Sequence, residues 1–115
     1  MPRRRSSVAP GFASAAPVFA ALGDDTRLRV VARLCTGGPQ SIVRLTNGTT
    51  ISRQAVTKHL HALARAGVVH GRREGRERIW EVRTRRLAEA RGWLDQISAQ
   101  WDEAIDRLRA LVEQD

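Results

Sequence analysis

Five polar side chains share one face of a predicted helix in the middle of the chain. They are Arg53, Gln54, Thr57, Lys58 and His61, and their helical spacing places them on one side. Arginine can donate two hydrogen bonds to guanine and glutamine can pair with adenine, while lysine neutralises phosphate. The set therefore predicts a helix that contacts double-stranded DNA. The alternative is an ordinary solvated face.

The elements around this face favour a helix-turn-helix arrangement. Ser52 is a favourable N-cap for the helix, and Gly67 is a favourable residue to end it. The apolar stripe of the helix follows at helical spacing and consists of Val56, Leu60 and Leu63. A short helix over residues 40–46 and a turn over residues 47–50 precede it. Two short helices joined by a tight turn are typical of DNA-binding proteins, and Ser52 joins the predicted DNA-contacting residues.

An arginine-rich hairpin is predicted directly after this helix. Residues 68–73 and 78–82 have extended character, and Gly75 between them supplies the turn. Four arginines lie at the tip and flanks of the hairpin: Arg72, Arg73, Arg76 and Arg78. Guanidinium groups beside a recognition helix suit DNA phosphates or the minor groove. We therefore predict that the hairpin is a wing that contacts DNA.

The C-terminal segment has the most regular apolar pattern. Apolar residues recur at alternating steps of three and four: Leu87, Ala90, Leu94, Ile97, Trp101, Ala104, Leu108 and Leu111. This is a heptad seam on a helix over about residues 84–113, roughly 45 Å long. The rest of the chain is too small to cover the whole seam, so a second copy is the predicted partner. The predicted dimerisation residues are Leu87, Leu94, Ile97, Trp101, Leu108 and Leu111. Trp93 and Trp101 are expected to pack across this interface, the alternative being an effector pocket.

Two further helices and a basic arm are predicted upstream. A short helix over residues 15–22 ends at Gly23, and Asp24 caps a second helix that ends at Gly37. The apolar residues that follow at helical spacing in the second helix are Leu28, Val31 and Leu34. Residues 1–14 are rich in Pro, Ser, Gly and Arg, which predicts a disordered arm. The arm either contacts DNA phosphates or only keeps the chain soluble.

Composition narrows the classes of protein to consider. The chain has 115 residues, which suits one domain, and a formal net charge of +8. Residues 51–91 contain 11 basic and 4 acidic side chains, whereas residues 92–115 contain 2 and 6. The basic middle favours nucleic acid as a partner before an anionic membrane surface. Because no membrane or targeting segment, phosphate-binding glycine loop or nucleophile–base pair is evident, we expect a cytoplasmic protein that is not an enzyme.

Two stretches of the chain resemble the ArsR/SmtB-type repressors. One is ALGDDTRLRVV over residues 21–31, and the other is ISRQAVTKHL over residues 51–60, continued by Leu63, AGVV over residues 66–69 and GRREGR over residues 71–76. The resemblance covers about residues 17–83. It implies a homodimeric winged-helix DNA-binding repressor, typically bacterial, whose first and last helices form the dimer interface.

The metal sites of that family have no counterpart in this sequence. Metal-sensing members carry a Cys-Val-Cys-type motif in the third helix, and the aligned positions are Ser41 and Val43. Other members use Asp and His pairs on the terminal helix, but no histidine follows His70. Cys35, the one cysteine, is interpreted as a small hydrophobe rather than a redox sensor, and His59 as a structural residue. We therefore expect no metal and no cofactor.

These patterns together predict a mainly α-helical chain with a small β-hairpin wing. The expected fold is a homodimeric winged helix-turn-helix of order α-α-α-α-β-β-α, in one domain over residues 15–115. The expected function is a sequence-specific repressor that binds an inverted-repeat operator as a homodimer. A low-specificity architectural DNA-binding protein and a protein-interaction module using the terminal helix remain alternatives. The sequence identifies no effector, whether a small molecule or a protein.

Overall fold

The computed structural model describes residues 12–114, which form helices and one antiparallel sheet. The helices are α1 (Phe12–Leu22), α2 (Asp25–Gly37), α3 (Ile42–Thr46), α4 (Arg53–Arg65) and α5 (Thr84–Glu113). The strands are β1 (Gln40–Ser41), β2 (Val69–Glu74) and β3 (Glu77–Val82). The predicted succession of four helices, a hairpin and a long final helix is confirmed. No helix in this described part is long and apolar enough to cross a membrane.

The sheet has a third strand that the sequence did not predict. β1 pairs antiparallel with β3, so that Gln40 lies opposite Trp80 and Ser41 lies opposite Ile79. The helix predicted over residues 40–46 consequently begins only at Ile42, after Ser41 caps it with a side chain that accepts a hydrogen bond from the Arg44 backbone N–H. A strand of two residues is too short to show an alternating pattern. Only its pairing with β3 reveals it.

The N-terminal helix α1 begins earlier than predicted. Residues 12–14, which were predicted to belong to the arm, lie in α1, and Pro17 lies inside the helix. Ala15, Val18 and Ala21 are buried and α1 packs mainly against α5. This tertiary packing offsets the cost of a proline in a helix. The rest of the predicted arm lies outside the described residues.

The N-cap and turn residues that were predicted from sequence are confirmed. Asp24 Oδ2 accepts a hydrogen bond from the Arg27 backbone N–H at 3.0 Å, and this bond lowers the pKa of the Asp24 carboxyl. Gly67 ends α4 with a φ of 81°. Its N–H donates to Ala64 O, and the next N–H donates to Leu63 O, which is the Schellman arrangement. Gly75, with a φ of 64°, begins the two-residue turn of the hairpin.

The core lies where α1, α2, α4 and the sheet meet. Its buried members include the predicted inner stripe of α4, together with Val31, Leu34, Leu45, Val68, Val69 and Trp80. The apolar residues that follow at helical spacing in α2 are not all buried, because Leu28 is 52% exposed while Val30 is only 5% exposed. The buried face of α2 is therefore rotated towards Val30. Helical spacing alone does not distinguish these two stripes, since each contains Val31 and Leu34 at favourable positions.

Candidate nucleic-acid interface

The buried stripe of α4 determines which of its side chains face outwards. Val56, Leu60 and Leu63 are at most 2% exposed and anchor one side of the helix in the core. The Ser52 Oγ accepts a hydrogen bond from the Ala55 backbone N–H at 3.1 Å, which fixes where the helix begins. The core therefore fixes the orientation of the opposite face of α4. The first turn of α4 directly follows the turn that joins it to α3.

Four of the predicted DNA-contacting side chains of α4 are exposed and available. They are Arg53, Gln54, Lys58 and His61, and within residues 12–114 none of them has a side-chain hydrogen bond or ion pair. The other two are partly occupied. Ser52 uses its oxygen as the N-cap, and the Thr57 hydroxyl donates to Arg53 O at 2.7 Å. Each of those two hydroxyls therefore offers only part of its hydrogen-bonding capacity to a partner.

A ring contact joins the wing to α4, and a cation–π contact within β3 lies beside it. The His61 and Trp80 rings lie 5.9 Å apart, centroid to centroid. The Arg78 guanidinium lies over the Trp80 ring, 5.4 Å from its centroid. Trp80 is 2% exposed and anchors β3 in the core. The outward face of α4 and one face of the wing therefore form a continuous basic surface.

The strand register separates the wing arginines into two groups. Arg73 lies opposite Arg78, and Gly71 lies opposite Trp80. Residues that lie opposite each other in an antiparallel pair share a face, and every second residue returns to it. Arg73 and Arg78 therefore project from the same face as Trp80, towards the side of α4. Arg76 is exposed at the hairpin turn.

Arg72 is the exception among the four predicted wing residues. It lies on the opposite face of the hairpin, where its Nη1 is 2.7 Å from Glu74 Oε2 and its Nε is 3.5 Å from Glu81 Oε1. Glu81 Oε1 is also 2.9 Å from His70 Nε2. The charge of Arg72 is thus offset within the wing. The structure does not bring Arg72 together with the other predicted wing arginines.

Two residues near this surface have positioning roles, of which only that of Arg33 was not predicted. Arg33 donates from Nη1 to Leu45 O at 2.9 Å and from Nη2 to Asn47 O at 3.3 Å. It therefore ties the end of α3 and the following turn to α2. His59 is half-buried, and its Nδ1 accepts from Arg27 Nε at 3.4 Å, which agrees with its interpretation as structural. The contacts of Arg33 depend on tertiary placement, so no local sequence signal could have revealed them.

The apolar seam of α5 is covered at its start and uncovered further on. Ala90 is buried in the core of its own chain, and Leu87 is half-buried against that core, which leaves only part of the Leu87 side chain for the predicted dimer interface. The remaining predicted dimerisation residues are exposed: Leu94, Ile97, Trp101, Leu108 and Leu111. Trp93 contacts Phe19 of α1 in the same chain, with ring centroids 5.6 Å apart.

The described residues contain no group of three or more His, Cys, Asp or Glu side chains arranged to hold a metal ion. Ser41 and Val43, at the positions of the family's thiolates, lie in β1 and α3. Cys35 is a free thiol and is exposed, so its interpretation as a small packed hydrophobe is wrong. It lies in the last turns of α2, beyond the buried stripe that ends at Leu34.

The chain is similar in sequence and in structure to known transcriptional regulators. A family model described as a helix-turn-helix domain matches residues 22–72. An HTH-type transcriptional regulator of Mycobacterium tuberculosis is 33% identical over 93 residues, which cover 81% of this chain and 83% of that protein. The matched region therefore extends well beyond the helix-turn-helix unit.

Two solved structures have the same fold. An ArsR-like transcriptional regulator from Rhodococcus sp. RHA1 superposes with a TM-score of 0.76 and 33% identity, covering 90% of this chain and 96% of that one. A homodimeric winged helix-turn-helix DNA-binding domain from Mycobacterium bovis superposes with a TM-score of 0.62 and 24% identity, covering 87% of this chain and 91% of that one.

Proposed function

This chain belongs to the ArsR-like family of DNA-binding helix-turn-helix transcriptional regulators, and we propose that it is a repressor that binds an inverted-repeat operator as a homodimer. The observation that carries this proposal is the continuous basic surface formed by α4 and the wing. In its α4 part four side chains are exposed and form no side-chain hydrogen bond or ion pair with the described residues: Arg53, Gln54, Lys58 and His61. Side chains of these types can both read base edges and neutralise phosphates.

The surface suggests a division of roles. We assign base contacts in the major groove to Arg53 and Gln54, which lie in the first turn of α4, because the N-terminal part of a recognition helix reaches deepest into the groove. Lys58 and the wing residues Arg73, Arg76 and Arg78 would contact phosphates or the minor groove beside it. Ser52 and Thr57 would contribute hydroxyl groups to the same face.

The dimer is proposed from the uncovered part of α5. Trp101 and Leu108 are 67% and 61% exposed, and Leu94, Ile97 and Leu111 continue the same seam. A contiguous apolar stripe of this length is a feature of an interaction site. The Mycobacterium bovis neighbour is homodimeric. A two-fold symmetric dimer would present two α4 helices to two half-sites about one helical turn apart.

The repressor role is proposed from how the surface of the described chain is used. The face formed by α4 and the wing suits DNA, and the free face of α5 suits a second copy. Neither of these two faces is proposed to contact the transcription machinery. Occupying the operator is therefore the simplest way for this chain to act, because a bound dimer covers the DNA that transcription requires.

The separation of the wing arginines gives a specific prediction. Arg73→Ala should weaken operator binding by about 25-fold at 0.15 M salt, because each phosphate contact contributes about fivefold and the dimer has two. Arg72→Ala removes the same charge from the other face of the hairpin and should weaken binding less than about threefold. Fluorescence anisotropy with a labelled operator measures both. Equal losses would contradict the assignment of the Arg73 face to DNA.

We also propose that no transition metal controls this regulator. Zinc and similar ions need three or four converging donors, usually thiolate or imidazole. Ser41 and Val43 cannot supply the thiolates, and His59 already accepts from Arg27. Micromolar zinc, cadmium, copper or arsenite, and chelators, should each leave operator affinity unchanged. Stoichiometric metal in untagged protein, together with metal-dependent loss of DNA binding, would contradict this proposal.

Selection of bound sequences from random duplex DNA tests the proposed function. The expected result is an inverted repeat with half-sites about one helical turn apart. A low-specificity architectural protein would enrich no motif, although it would bind every duplex. A protein-interaction module would retain no DNA above background. Either outcome would exclude the proposed role as an operator-specific repressor.

A further inference from the structure

A cleft behind the start of α4 has none of the roles assigned above. It lies between α2 and the turn that joins α3 to α4, and its volume is about 340 Å³. Its apolar lining includes Val30, Leu45 and Val56, which are buried, and Ile51, which is half-buried. This volume lies at the lower end of the range of roughly 300–1,000 Å³ that small-molecule sites occupy.

The polar lining of the cleft is cationic. The guanidinium of Arg33 is held in place by its hydrogen bonds to Leu45 O and Asn47 O. Arg29 also lines the cleft and forms an ion pair with Asp25. The pair is weak because both side chains are highly exposed to solvent. A fixed and an adaptable guanidinium next to an apolar floor suit an organic anion, because arginine binds carboxylates in a bidentate manner.

Two hydroxyl groups complete the lining. Thr26 of α2 and Thr50 of the turn both line the cleft, and within residues 12–114 neither side chain has a hydrogen-bond partner. Each can donate one hydrogen bond to a ligand oxygen. No carboxylate side chain lines the cleft itself, so the lining carries only positive charge, and Asp25, the partner of Arg29, lies outside it.

We propose that this cleft binds small organic carboxylates with an aromatic or branched aliphatic body, and that their binding weakens operator binding. The inference rests on the proposed function, since it assigns an effector site to the same regulator. Thr49 and Thr50 line the cleft and lead directly into Ser52, the N-cap of α4. A bound carboxylate would neutralise Arg29 and place negative charge beside the end of α4 that approaches DNA. Ligand and operator would therefore each lower the affinity for the other.

A DNA phosphate is the competing occupant of the rim. Arg29 and Thr50 could contact a phosphate from outside, but a phosphate would not fill the cleft and would leave its apolar floor in contact with water. The volume and the floor therefore favour an organic ligand. The operator affinity of Arg29→Gln without any carboxylate distinguishes the two occupants. A large loss of affinity is expected only if Arg29 contacts a DNA phosphate.

The first test uses the ¹⁵N-labelled full chain without DNA. Titration with 2-naphthoate should shift the amide signals of residues 48–51, with a Kd of about 1 mM for a ligand of thirteen non-hydrogen atoms at ordinary ligand efficiency. The uncharged 2-naphthamide should bind at least about fivefold more weakly. Arg29→Gln should raise the Kd for 2-naphthoate at least about fivefold, whereas Arg91→Gln, at an exposed position of α5, should not change it. Unshifted turn amides at 10 mM, or equal binding by the amide or by Arg29→Gln, would overturn the proposal.

The second test measures operator binding with and without the carboxylate. At 10 mM, 2-naphthoate should raise the operator Kd about 100-fold, because full antagonism at ten times its own Kd contributes about tenfold for each of the two clefts in a dimer, whereas 10 mM acetate should not. Unchanged operator affinity, or a loss for ligand-free Arg29→Gln as large as that for Arg73→Ala, would overturn the proposal. If the protein bound no operator at all, the proposed function would fail while the amide titration still decided whether the cleft binds carboxylates.

Discussion

Trp101→Asp is expected to convert the protein to a monomer and to abolish operator binding. Trp101 is 67% exposed in the single chain and lies in the middle of the uncovered seam of α5. A dimer interface built on this seam would bury the new carboxylate without a partner, at a cost of several kcal/mol. Because the two-fold axis relates two copies of the seam, the dimer suffers the change twice. A monomer retains one half-site's contacts, which are too few for tight binding.

Gln96→Asp is the matched control for this variant. It introduces the same charge on the same helix, but at an exposed position on the face opposite the seam. Analytical ultracentrifugation should show a monomer for Trp101→Asp and a dimer for both Gln96→Asp and the wild type. Circular dichroism should show equal helix content in all three, since Trp101 packs on nothing within its own chain's core cluster. A monomeric wild type, or a dimeric Trp101→Asp, would contradict the assignment of this seam to the interface.

Operator affinity is expected to fall about 10⁴-fold between 50 and 200 mM salt. The cations assigned to phosphates are Lys58, Arg73, Arg76 and Arg78, which number eight in a dimer. Each neutralised phosphate releases counterions, so the logarithm of the affinity falls with the logarithm of salt at a slope of about −0.9 per contact. Eight contacts give a slope of about −7. The slope of this salt dependence therefore reports how many of these side chains contact DNA phosphates.

The slope can also be assigned to individual residues. Arg73→Ala should reduce it by about 2, because the dimer loses two contacts, whereas Arg72→Ala should leave it nearly unchanged. Anisotropy titrations at four or more salt concentrations measure these slopes. A wild-type affinity that changes less than tenfold over this range would show that phosphate neutralisation by α4 and the wing is not a main source of affinity.

Features that depend on a few adjacent residues were predicted well from the sequence. Ser52 and Gly67 mark the ends of α4, and Gly75 marks the hairpin turn, because a cap or a positive φ is a local requirement. The inner stripe of α4 was also predicted, since its three apolar residues follow one helical face. The resemblance to a known family agreed with these local signals and extended them to the whole fold.

Features that depend on packing between distant segments were not predicted. β1 exists only because Gln40 and Ser41 meet β3, and α2 buries Val30 rather than Leu28 because of what packs against it. Arg72 and Arg73 are adjacent in sequence, yet the strand places them on opposite faces. Arg72 then meets Glu74 and Glu81, which offset its charge. Composition counts both arginines alike, so only the register separates their roles.

The central claim is that two copies of this chain bind one inverted repeat through α4 and the wing. Sedimentation of the protein with the selected operator, together with affinities for the operator, an isolated half-site and an unrelated duplex, tests it most directly. We predict two chains per operator duplex, and an affinity at least about 100-fold lower for the half-site and for the unrelated duplex. One chain per duplex, or equal affinity for all three DNAs, would contradict it.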